Sequence, residues 1–473
     1  MKQPNLDSIA AYVPSAVSDI LERLNRNGYE AYAVGGCVRD ALLGRIPHDW
    51  DICTAALPEQ VMACFPERMV YQTGIQHGTV LLRWEGEGYE ITTFRTESGY
   101  SDHRHPDQVR FVRSLKEDLA RRDFTINAMA YHPDIGVVDW FGGREDIERR
   151  LIRCVGVPEQ RFQEDGLRIL RALRFAARYG FALDAQTAHA MQQGKDLLRC
   201  IAAERIFSEL NGILLGETVA EVLLAYREIF AVFLPELVPT FDFDQRNPHH
   251  CYDVWEHTAR SVANAPQDAV LRLAMLFHDV GKPAAFTVDA DGTGHCPGHH
   301  AVSATLAEQA LRRLRCDKET VRAVVTLVGQ HDRIRRFSRR ATLRLLAELG
   351  ERRTRQLLQV MEADVKAQAP ETVPDKMTAL LEGCAMVDAL LGANACFQKK
   401  DLALNGRDLI ALGMPADTAL GALLEELFQA VLNGTLENER TVLMQTARTR
   451  IEKRNGTHYG QPIGTTAGLR PGT

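Results

Sequence analysis

The chain has 473 residues, 45% of them hydrophobic, and a formal net charge of −6, which predicts an ordinary globular protein of about three or four domains. Its ten cysteines show no Cys-x-x-Cys spacing, which argues against zinc fingers and against a disulfide framework. The sequence shows no signal peptide and no apolar run of about 18 residues, so we expect a cytoplasmic protein without a membrane partner.

The first predicted elements are an amphipathic helix that ends near Asn27 and a mixed α/β domain over about residues 28–150. Within this domain, the turn AVGGCVRD contains Gly35 and Gly36. Because glycine has no Cβ, such a turn can bring backbone N–H groups close to an anion. Two glycines alone, however, are typical of any turn.

Ten residues further on, HDWDIC places Asp49 and Asp51 one residue apart. In an extended strand, side chains at i and i+2 point the same way, so both aspartates should face one point while Trp50 faces the other side. Two converging carboxylates repel unless a cation lies between them, and an oxygen-only site suits Mg²⁺. Two aspartates with this spacing and no further motif more often mark a solvated strand end.

A third acidic residue follows in the segment TVLLRWEGEGYEITTFRTE. Residues 80–82 and 89–94 predict two strands joined by a turn that contains glycine. Glu90 lies on the face opposite Tyr89 and Ile91, where it would usually be solvated. If this hairpin lies beside the Asp49–Asp51 strand, Glu90 becomes a third carboxylate at a two-metal site, where one ion activates a 3′-hydroxyl and the other stabilises the leaving pyrophosphate.

Gly, Ser, Asp, His and Pro crowd residues 98–107, which predicts a mobile loop. The motif RRDFTINAMA follows and contains Arg122, Asp123 and Asn127. One interpretation is a helix start, with Asp123 or Thr125 as the N-cap. Helix N-termini also favour phosphate, so this interpretation is compatible with a nucleotide site.

Residues 164–178, EDGLRILRALRFAAR, predict a helix. At about 100° per residue, its arginines fall within one third of the circumference and most of its apolar residues on the opposite side. A basic stripe of this kind is usually a solvated face. The arginines are Arg168, Arg171, Arg174 and Arg178.

Taken together, GGCVRD, DWD, EITTFRTE, RRDFTINAMA and EDGLRILRALRFAAR resemble the motifs of bacterial class II tRNA nucleotidyltransferases and poly(A) polymerases, in the same order. The resemblance covers roughly the first 230 residues and continues more weakly to about residue 450. It implies template-independent addition of nucleotides to an RNA 3′ end, with Asp49, Asp51 and Glu90 at the Mg²⁺ ions.

The resemblance also implies how the nucleotide is held. Arg122 would contact it, and Asp123 and Asn127 would lie near its ribose, where a 2′-hydroxyl contact would favour NTP over dNTP. Guanidinium forks suit phosphate oxygens. The residues assigned to the triphosphate are Gly35, Gly36, Arg39, Arg171 and Arg174.

Base selection is implied for Asp165 and Arg168. The acid would accept a hydrogen bond from an exocyclic amine, and the arginine would donate to a ring acceptor. Cytosine and adenine both offer this pattern, whereas uracil and guanine present a carbonyl in place of the amine. In the family that the chain resembles, enzymes that add only CC shorten the loop at this place, so the resemblance and the full length of the 98–107 loop imply addition of A as well as C.

A second set of motifs lies in helical sequence, where LAMLFHDVGKP places His278 and Asp279 at the end of an apolar helix. It resembles the HD phosphohydrolase superfamily, with His257, His278 and Asp279 matching its metal ligands and His299 and His331 matching additional positions. Histidine and aspartate together suit Mn²⁺, Ni²⁺ or Mg²⁺. The expected substrates are 2′,3′-cyclic phosphates or phosphomonoesters. The alternative is a helical scaffold whose histidines are merely satisfied polar groups.

We therefore expect an α+β fold in which a polymerase-β-like nucleotidyltransferase α/β head precedes an elongated all-helical neck, an HD-like body and a tail. The predicted divisions are a head over 1–150, a neck that binds the base and RNA over 151–235, an HD-like domain over 240–345, a C-terminal helical RNA-binding domain over 346–452 and a disordered tail over 453–473.

The predicted activity is the addition of C, C and A from CTP and ATP to tRNA, with contacts to its 3′ end and acceptor arm. A mildly acidic chain can bind RNA, because such contacts depend on local basic faces. A poly(A) polymerase or an A-only enzyme would share the same motifs. Two further alternatives are an HD phosphohydrolase whose head only binds nucleotide, and a non-catalytic RNA-binding protein. The sequence does not indicate an oligomeric state.

Overall fold

The computed structural model describes residues 9–99, 108–332 and 337–456. The chain forms two compact units, Met1–Gly329 and Gln330–Thr473. Positions 100–107 of the predicted mobile loop and 457–473 of the predicted tail lie outside the described residues. Residues 453–456, which were assigned to the tail, belong to the last helix.

The head of the first unit is built on a seven-stranded mixed sheet of order β3-β4-β5-β2-β1-β8-β9, while β6 and β7 pair as a separate ribbon. The strands are β1 Ala31–Val34, β2 Ile52–Thr54, β3 Val70–Gly74, β4 Thr79–Trp84, β5 Glu87–Thr93, β6 Arg95–Ser98, β7 Gln108–Phe111, β8 Met129–His132 and β9 Gly136–Asp139.

The predicted hairpin is confirmed as β4 and β5, which pair antiparallel with Trp84 opposite Glu87. The two residues between them, Glu85 and Gly86, have φ of 52° and 91°. Positive φ at both positions matches the right-handed twist of the flanking strands, and glycine accepts it without strain. This turn fixes which face of β5 carries Glu90.

Helices pack against the sheet and form most of the rest of the first unit. They are α1 Ser15–Arg26, α2 Gly36–Leu42, α3 Pro58–Cys64, α4 Leu115–Ala120, α5 Gly143–Arg149, α6 Pro158–Glu164, α7 Leu167–Tyr179, α8 Ala185–Gly194, α9 Ala203–Leu214, α10 Val219–Ala225, α11 Arg227–Phe233, α12 Val254–Asn264, α13 Ala269–Phe277, α14 His299–Arg313 and α15 Lys318–Gln330. The predicted amphipathic first helix is confirmed as α1, which buries Val17, Ile20 and Leu24.

Three local predictions are wrong. Residues 164–178 do not form one helix, because the backbone at Asp165 is extended (φ −143°, ψ 103°) and separates α6 from α7. The RRDFTINAMA motif does not begin an α-helix, because Thr125–Asn127 is a single 3₁₀ turn that leads directly into β8. The region after residue 150 is not entirely helical. It contains two pairs of two-residue strands, β10 Leu151–Ile152 with β11 Ala182–Leu183, and β12 Thr287–Val288 with β13 Gly294–His295.

The second unit is helical throughout its described part. Its helices are α16 Arg339–Lys366, α17 Val373–Gly392, α18 Gly406–Ala411, α19 Thr418–Leu432 and α20 Arg440–Gly456. Gly350, with φ of 72°, interrupts α16 and makes it two helical segments. Among the described residues, the protein has no helix of the length and apolar character that a membrane span requires.

Candidate active site

Two parallel strands bring the predicted carboxylates to one end of the head sheet. β2 and β5 pair with Ile52 opposite Ile91, so Asp51 and Glu90, each one residue earlier, lie side by side. Asp49 and Asp51 are exposed, whereas Trp50 between them is 6% exposed. The predicted alternation is present, although both aspartates precede β2 instead of lying within it.

The three carboxylates repel one another. The pKa of Asp51 is raised above its ordinary value, first because the carboxyl group is partly desolvated; Arg122 lowers it, and Glu90 and Asp49 add to the rise. Within the described ranges, none of the three acids makes an ion pair, and their oxygens do not form a tight three-ligand group. This is an open, oxygen-only site in which Arg122 offsets only part of the negative charge.

Arg122 lies between these acids and the glycine turn. Gly35 has φ of 84°, and a Cβ there would come within 2.6 Å of Nη1 of Arg122. The absence of a side chain at this position therefore makes room for the guanidinium. Its Nη2 lies 3.7 Å from Asp118, and its Nε is buried without a hydrogen-bond partner in the described part of the chain. A guanidinium with an unused donor beside a glycine turn suits a phosphate ligand.

Arg39 lies on the inner side of the same turn. Its side chain is buried, at 5% exposed. The guanidinium donates to Asn127 and, over 2.9 Å, to Asp40. It also lies 5.1 Å from the ring centres of both Phe175 and Tyr179. These contacts tie α2 of the head to α7. This buried position differs from the predicted triphosphate contact, because the burial and the two ring faces leave little room for a ligand.

Asp123 and Asn127 continue this link. The amide of Asn127 donates to Asp123 over 3.0 Å, and Arg171 of α7 donates to the other carboxylate oxygen of Asp123 from Nε (2.9 Å) and lies 2.7 Å from it through Nη2. Burial alone would raise the pKa of Asp123, but Arg171 and Asn127 outweigh burial and hold it well below its ordinary range. Arg171 is thus committed to an ion pair, and one third of its side chain remains exposed.

The predicted base-reading residues lie at the break between α6 and α7. Asp165 caps α7 by accepting from the backbone N–H of Leu167 over 3.0 Å, and it also accepts from Arg205 over 2.8 Å. Arg168 donates to Glu164 over 2.5 Å and to the backbone carbonyl of Arg161 over 3.0 Å. The two residues are therefore held by separate partners.

Most of the basic face of α7 is paired with acids and is not simply solvated. Arg174 donates to Glu209 of α9 over 2.6 Å, and Arg178 is exposed. Sequence reasoning missed Arg205 and Glu209. Their spacing of four residues on one helix suggests a pair with each other, and no local signal reveals that each binds a residue outside its own helix.

The second predicted site is a buried cluster around Asp279. One carboxylate oxygen, Oδ2, lies 3.4 Å from Nε2 of His257, 3.2 Å from Nε2 of His278 and 2.6 Å from Nζ of Lys282, and the other lies 3.2 Å from Nε2 of His299. The ligand atoms of His257, His278 and Asp279 all lie within 4.8 Å of one another. The structure confirms that these three residues come together. His331 is buried directly after α15, and its part in the site stays a prediction.

Backbone carbonyls orient two of these histidines. Nδ1 of His278 lies 2.7 Å from the carbonyl of Met275, and Nδ1 of His299 lies 2.9 Å from that of Cys296. Because a carbonyl only accepts, each Nδ1 carries a proton and each Nε2 faces Asp279. Burial would lower the pKa of His299, but its hydrogen bond to Asp279 raises it.

Cationic neighbours compensate the charge on Asp279. Burial would raise its pKa, but His278 and Lys282 outweigh burial and hold the pKa well below its ordinary value. Lys282 also donates to the buried Gln245 over 2.7 Å. Aspartate with inward-facing Nε2 atoms is a donor set that a divalent metal can use, once it displaces the protons held there.

Comparison with known proteins places these sites in a family context. A profile described as "Poly A polymerase head domain" matches residues 31–153, one described as "Probable RNA and SrmB- binding site of polymerase A" matches 180–240, and one for tRNA nucleotidyltransferase domain 2 matches 299–447. The chain is 35% identical to the CCA-adding enzyme of Limosilactobacillus reuteri over 433 residues, which cover 90% of this chain and 94% of that protein.

Two further similarities point the same way. The CCA-adding enzyme of Geobacillus kaustophilus is 51% identical over 220 residues, which cover 46% of this chain and 54% of that protein. Among solved structures, the Bacillus stearothermophilus CCA-adding enzyme in complex with CTP has 31% sequence identity and a TM-score of 0.66, and the match covers 97% of this chain and all of that one.

Proposed function

The chain belongs to the CCA-adding enzymes, and on this premise we propose how its residues add C, C and A to the 3′ end of tRNA. The observation that carries the proposal is the meeting of three uncompensated carboxylates with Arg122 at the Gly35 turn. The whole-chain similarity to CCA-adding enzymes favours this activity over a poly(A) polymerase, whose head motifs are the same.

We propose that Asp49, Asp51 and Glu90 hold Mg²⁺. The fit rests on their oxygen-only chemistry and on the repulsion that raises the pKa of Asp51, since a cation placed among them would relieve it. When bound, Mg²⁺ would activate the 3′-hydroxyl of the tRNA and stabilise the departing pyrophosphate.

The reaction forms one bond and breaks one. The 3′-oxygen of the tRNA bonds to the α-phosphorus of CTP or ATP, the bond from that phosphorus to the bridging oxygen breaks, pyrophosphate leaves, and the hydroxyl proton passes to solvent. Arg122 would bind the triphosphate through the guanidinium group that lies beside the Gly35 turn. Arg171 and Arg174 would approach it from α7, Asp123 and Asn127 would face the ribose, and Arg39 would position the turn from beneath.

Base choice is proposed to depend on Asp165 and Arg168. The carboxylate would accept from the exocyclic amine that cytosine and adenine share, and the guanidinium would donate to the neighbouring ring acceptor. Uracil and guanine would place a carbonyl against the carboxylate, and leaving buried polar groups unpaired gives strong rejection. Both residues are held near the gap between α6 and α7.

The decisive assay uses tRNA that lacks CCA and each labelled NTP in turn, followed by sequencing of the products. We expect C, C and then A, with no U or G. The double variant Asp49→Ala/Asp51→Ala should lose incorporation while it keeps its thermal unfolding midpoint. Asp134→Ala, at a head aspartate whose side chain is 90% exposed, is the matched control and should behave as the wild type. A long A tail, or normal turnover by the double variant, would contradict the proposal.

We further propose that the Asp279 cluster is a metal-dependent phosphohydrolase site. The observation that favours it is the convergence of three imidazole Nε2 atoms on one buried carboxylate. Water would attack the phosphorus of a 2′,3′-cyclic phosphate, and one ribose–phosphate bond would break to give a phosphomonoester.

The test measures the hydrolysis of a 2′,3′-cyclic nucleotide by EDTA-treated protein after addition of Mn²⁺, Ni²⁺ or Mg²⁺, together with bound metal by mass spectrometry. We expect metal-dependent hydrolysis by the wild type, and loss of both metal and hydrolysis in His278→Ala. His189→Ala, at an exposed histidine elsewhere in the unit, is the control. If the wild type binds no metal, the cluster is a structural one.

A further inference from the structure

The C-terminal end of α7 is joined to the helix of the glycine turn through one buried tyrosine. Tyr179, the last residue of α7, is 3% exposed, and its hydroxyl donates to Oδ1 of Asp40 over 2.8 Å. Asp40 lies in α2, about one helical turn after Gly36, the residue at which α2 begins. The hydroxyl therefore holds the helix that starts at the proposed triphosphate site.

The ring of the same tyrosine contacts two cations next to Asp40. The guanidinium carbons of Arg39 and Arg45 lie 5.1 Å and 5.0 Å from the ring centre of Tyr179, which is close enough for cation–π attraction. Arg39 is paired with Asp40 over 2.9 Å, and the backbone N–H of Arg45 donates to the carbonyl of Asp40 over 2.9 Å. Arg45 also belongs to the segment that leads from α2 to Asp49. Tyr179 therefore contacts both α2 and the chain that follows it.

The hydrogen bond between Tyr179 and Asp40 has a fixed direction. Burial raises the pKa of Tyr179 above its ordinary value, and Arg39 offsets this rise only in part, so the hydroxyl keeps its proton at neutral pH. An ionised carboxylate can only accept, and a hydrogen bond to an ionised acceptor is stronger than one between neutral groups. The side chain of Asp40 is only 16% exposed, so water competes little for this bond.

We propose that Tyr179 is a positioning residue for the triphosphate, which holds α2 so that the Gly35 turn keeps its distance from the arginines of α7. This inference rests on the proposed role of the turn. Arg171 precedes Tyr179 by about 12 Å along the axis of α7, so one rigid helix would carry both a triphosphate contact and the anchor of the turn. A displacement of about 1 Å between them would misplace the ligand. Tyr179 acts through Asp40 and is not a catalytic residue.

The test removes the hydroxyl alone with Tyr179→Phe, which keeps the ring and its contacts with both arginines. KM for CTP and for ATP on tRNA lacking CCA should each rise by about fivefold, because α2 is no longer held and the turn binds the triphosphate less well. The Kd for CTP, from calorimetric titration of the enzyme with Mg²⁺ and without tRNA, should rise by the same factor. KM and Kd do not depend on how much enzyme is folded, so a loss of folded protein alone would not change them. Unchanged KM and Kd would overturn the proposal.

A double-mutant cycle shows whether the effect passes through Asp40. Asp40→Ala removes the acceptor and should raise KM and Kd for CTP by at least as much as Tyr179→Phe. In the Asp40→Ala background, Tyr179→Phe should add no further change, because the hydroxyl has lost its partner. Additive effects would show that Tyr179 acts by another route and would overturn the proposal. If Asp40→Ala fails to fold, Tyr179→Phe decides alone.

The matched control is another tyrosine of the first unit. Tyr226→Phe removes the hydroxyl of a half-buried tyrosine between α10 and α11, and it should leave KM for CTP and ATP unchanged. An equal rise of KM in this control would show that the loss of any such hydroxyl weakens binding, and would overturn the special role of Tyr179.

The role of the turn itself is tested by Gly35→Ala. If that variant raises KM for CTP and Tyr179→Phe does not, the role of Tyr179 is overturned while the proposed function stands. If Gly35→Ala leaves KM unchanged, the proposed binding of the triphosphate at the turn fails first, and the inference fails with it.

Discussion

The head site and the Asp279 cluster arrange negative charge in opposite ways. In the head, Asp49, Asp51 and Glu90 lie at an exposed strand end without ion pairs among the described residues. Asp279 is 1% exposed, and histidine and lysine side chains contact both of its oxygens. The charged form of Asp51 is destabilised by partial burial and by its acidic neighbours, whereas that of Asp279 is stabilised by its cationic partners.

This difference determines what a metal ion must do at each site. A cation entering the head would relieve repulsion that already exists, and nothing need be displaced. A cation entering the Asp279 cluster would compete with the protons on the histidines and with the ammonium of Lys282. The same chemical change, a carboxylate replaced by an amide, should therefore have opposite effects on the stability of the two regions.

The largest expected effect is that of a substitution at the head carboxylates. Asp51→Asn removes a proposed metal ligand and should lower CCA addition by about a thousandfold or more. Because the folded-state pKa of Asp51 is raised, the free energy of unfolding falls as pH rises from about 4 through that folded-state pKa. The variant should therefore be at least as stable as the wild type at pH 7, as measured by thermal unfolding in EDTA.

A marked loss of stability in Asp51→Asn at neutral pH would contradict the electrostatic account of the head. The matched comparison is Asp134→Asn, whose side chain is 90% exposed. It should change neither the activity nor the unfolding midpoint. Retention of activity in Asp51→Asn would contradict the metal assignment independently of stability.

The second expected effect concerns the cluster. Asp279→Asn leaves Lys282 and the histidines buried without their anion, and breaking a buried ion pair costs about 3–5 kcal/mol. The loss should appear in urea unfolding of EDTA-treated protein, followed by the fluorescence of tryptophan, because Trp255 is buried in α12 beside His257. An unfolding midpoint equal to that of the wild type would remove the contrast between the two regions.

The parts of the site that depend on strand pattern were predictable from the sequence. Alternation around Trp50 and the glycine turn after Trp84 are local signals, and they correctly predict the exposed aspartates and the face of Glu90. That β5 lies next to β2 required the family resemblance, because no local pattern specifies which strands pair in parallel.

The parts that depend on tertiary contacts were not predictable. The Asp165-Gly166 pair at the break is a weak local signal, because both are poor helix formers. The contacts that stabilise the break are not visible in the sequence: Asp165 caps Leu167, and a Cβ at Gly166 would meet Leu197 at 3.0 Å. Arg39 likewise looks like a free cation in sequence, and only the aromatic rings of α7 show why it is buried.

A third prediction sharpens the account of the open site. Gly35→Ala introduces a side chain at a φ of 84° and pushes it against Arg122. The strain should cost about 1–3 kcal/mol of stability, and the displaced guanidinium should raise KM for CTP and ATP by about tenfold. Gly28→Ala is the control, because it has the same φ of 84° but meets no atom within 4 Å. It should lose similar stability with unchanged KM.

The smallest effect concerns Asp123, which is buried like Asp279 but lies in the proposed nucleotide site of the head. Because its folded-state pKa is depressed, ionised Asp123 stabilises the fold at pH values above the pKa of an aspartate in the unfolded chain, about 4. This stabilisation is lost as pH falls through and below that pKa. Asp123→Asn should lower the free energy of unfolding by about 1–2 kcal/mol at pH 7. The cost is modest because the side chain of Arg171 is one third exposed. The variant should also lose less stability than the wild type on acidification. Urea unfolding between pH 3 and 7 measures both quantities. Equal acid profiles for variant and wild type would show that the Arg171 pair contributes no stability, and would place Asp123 with the uncompensated carboxylates of the head.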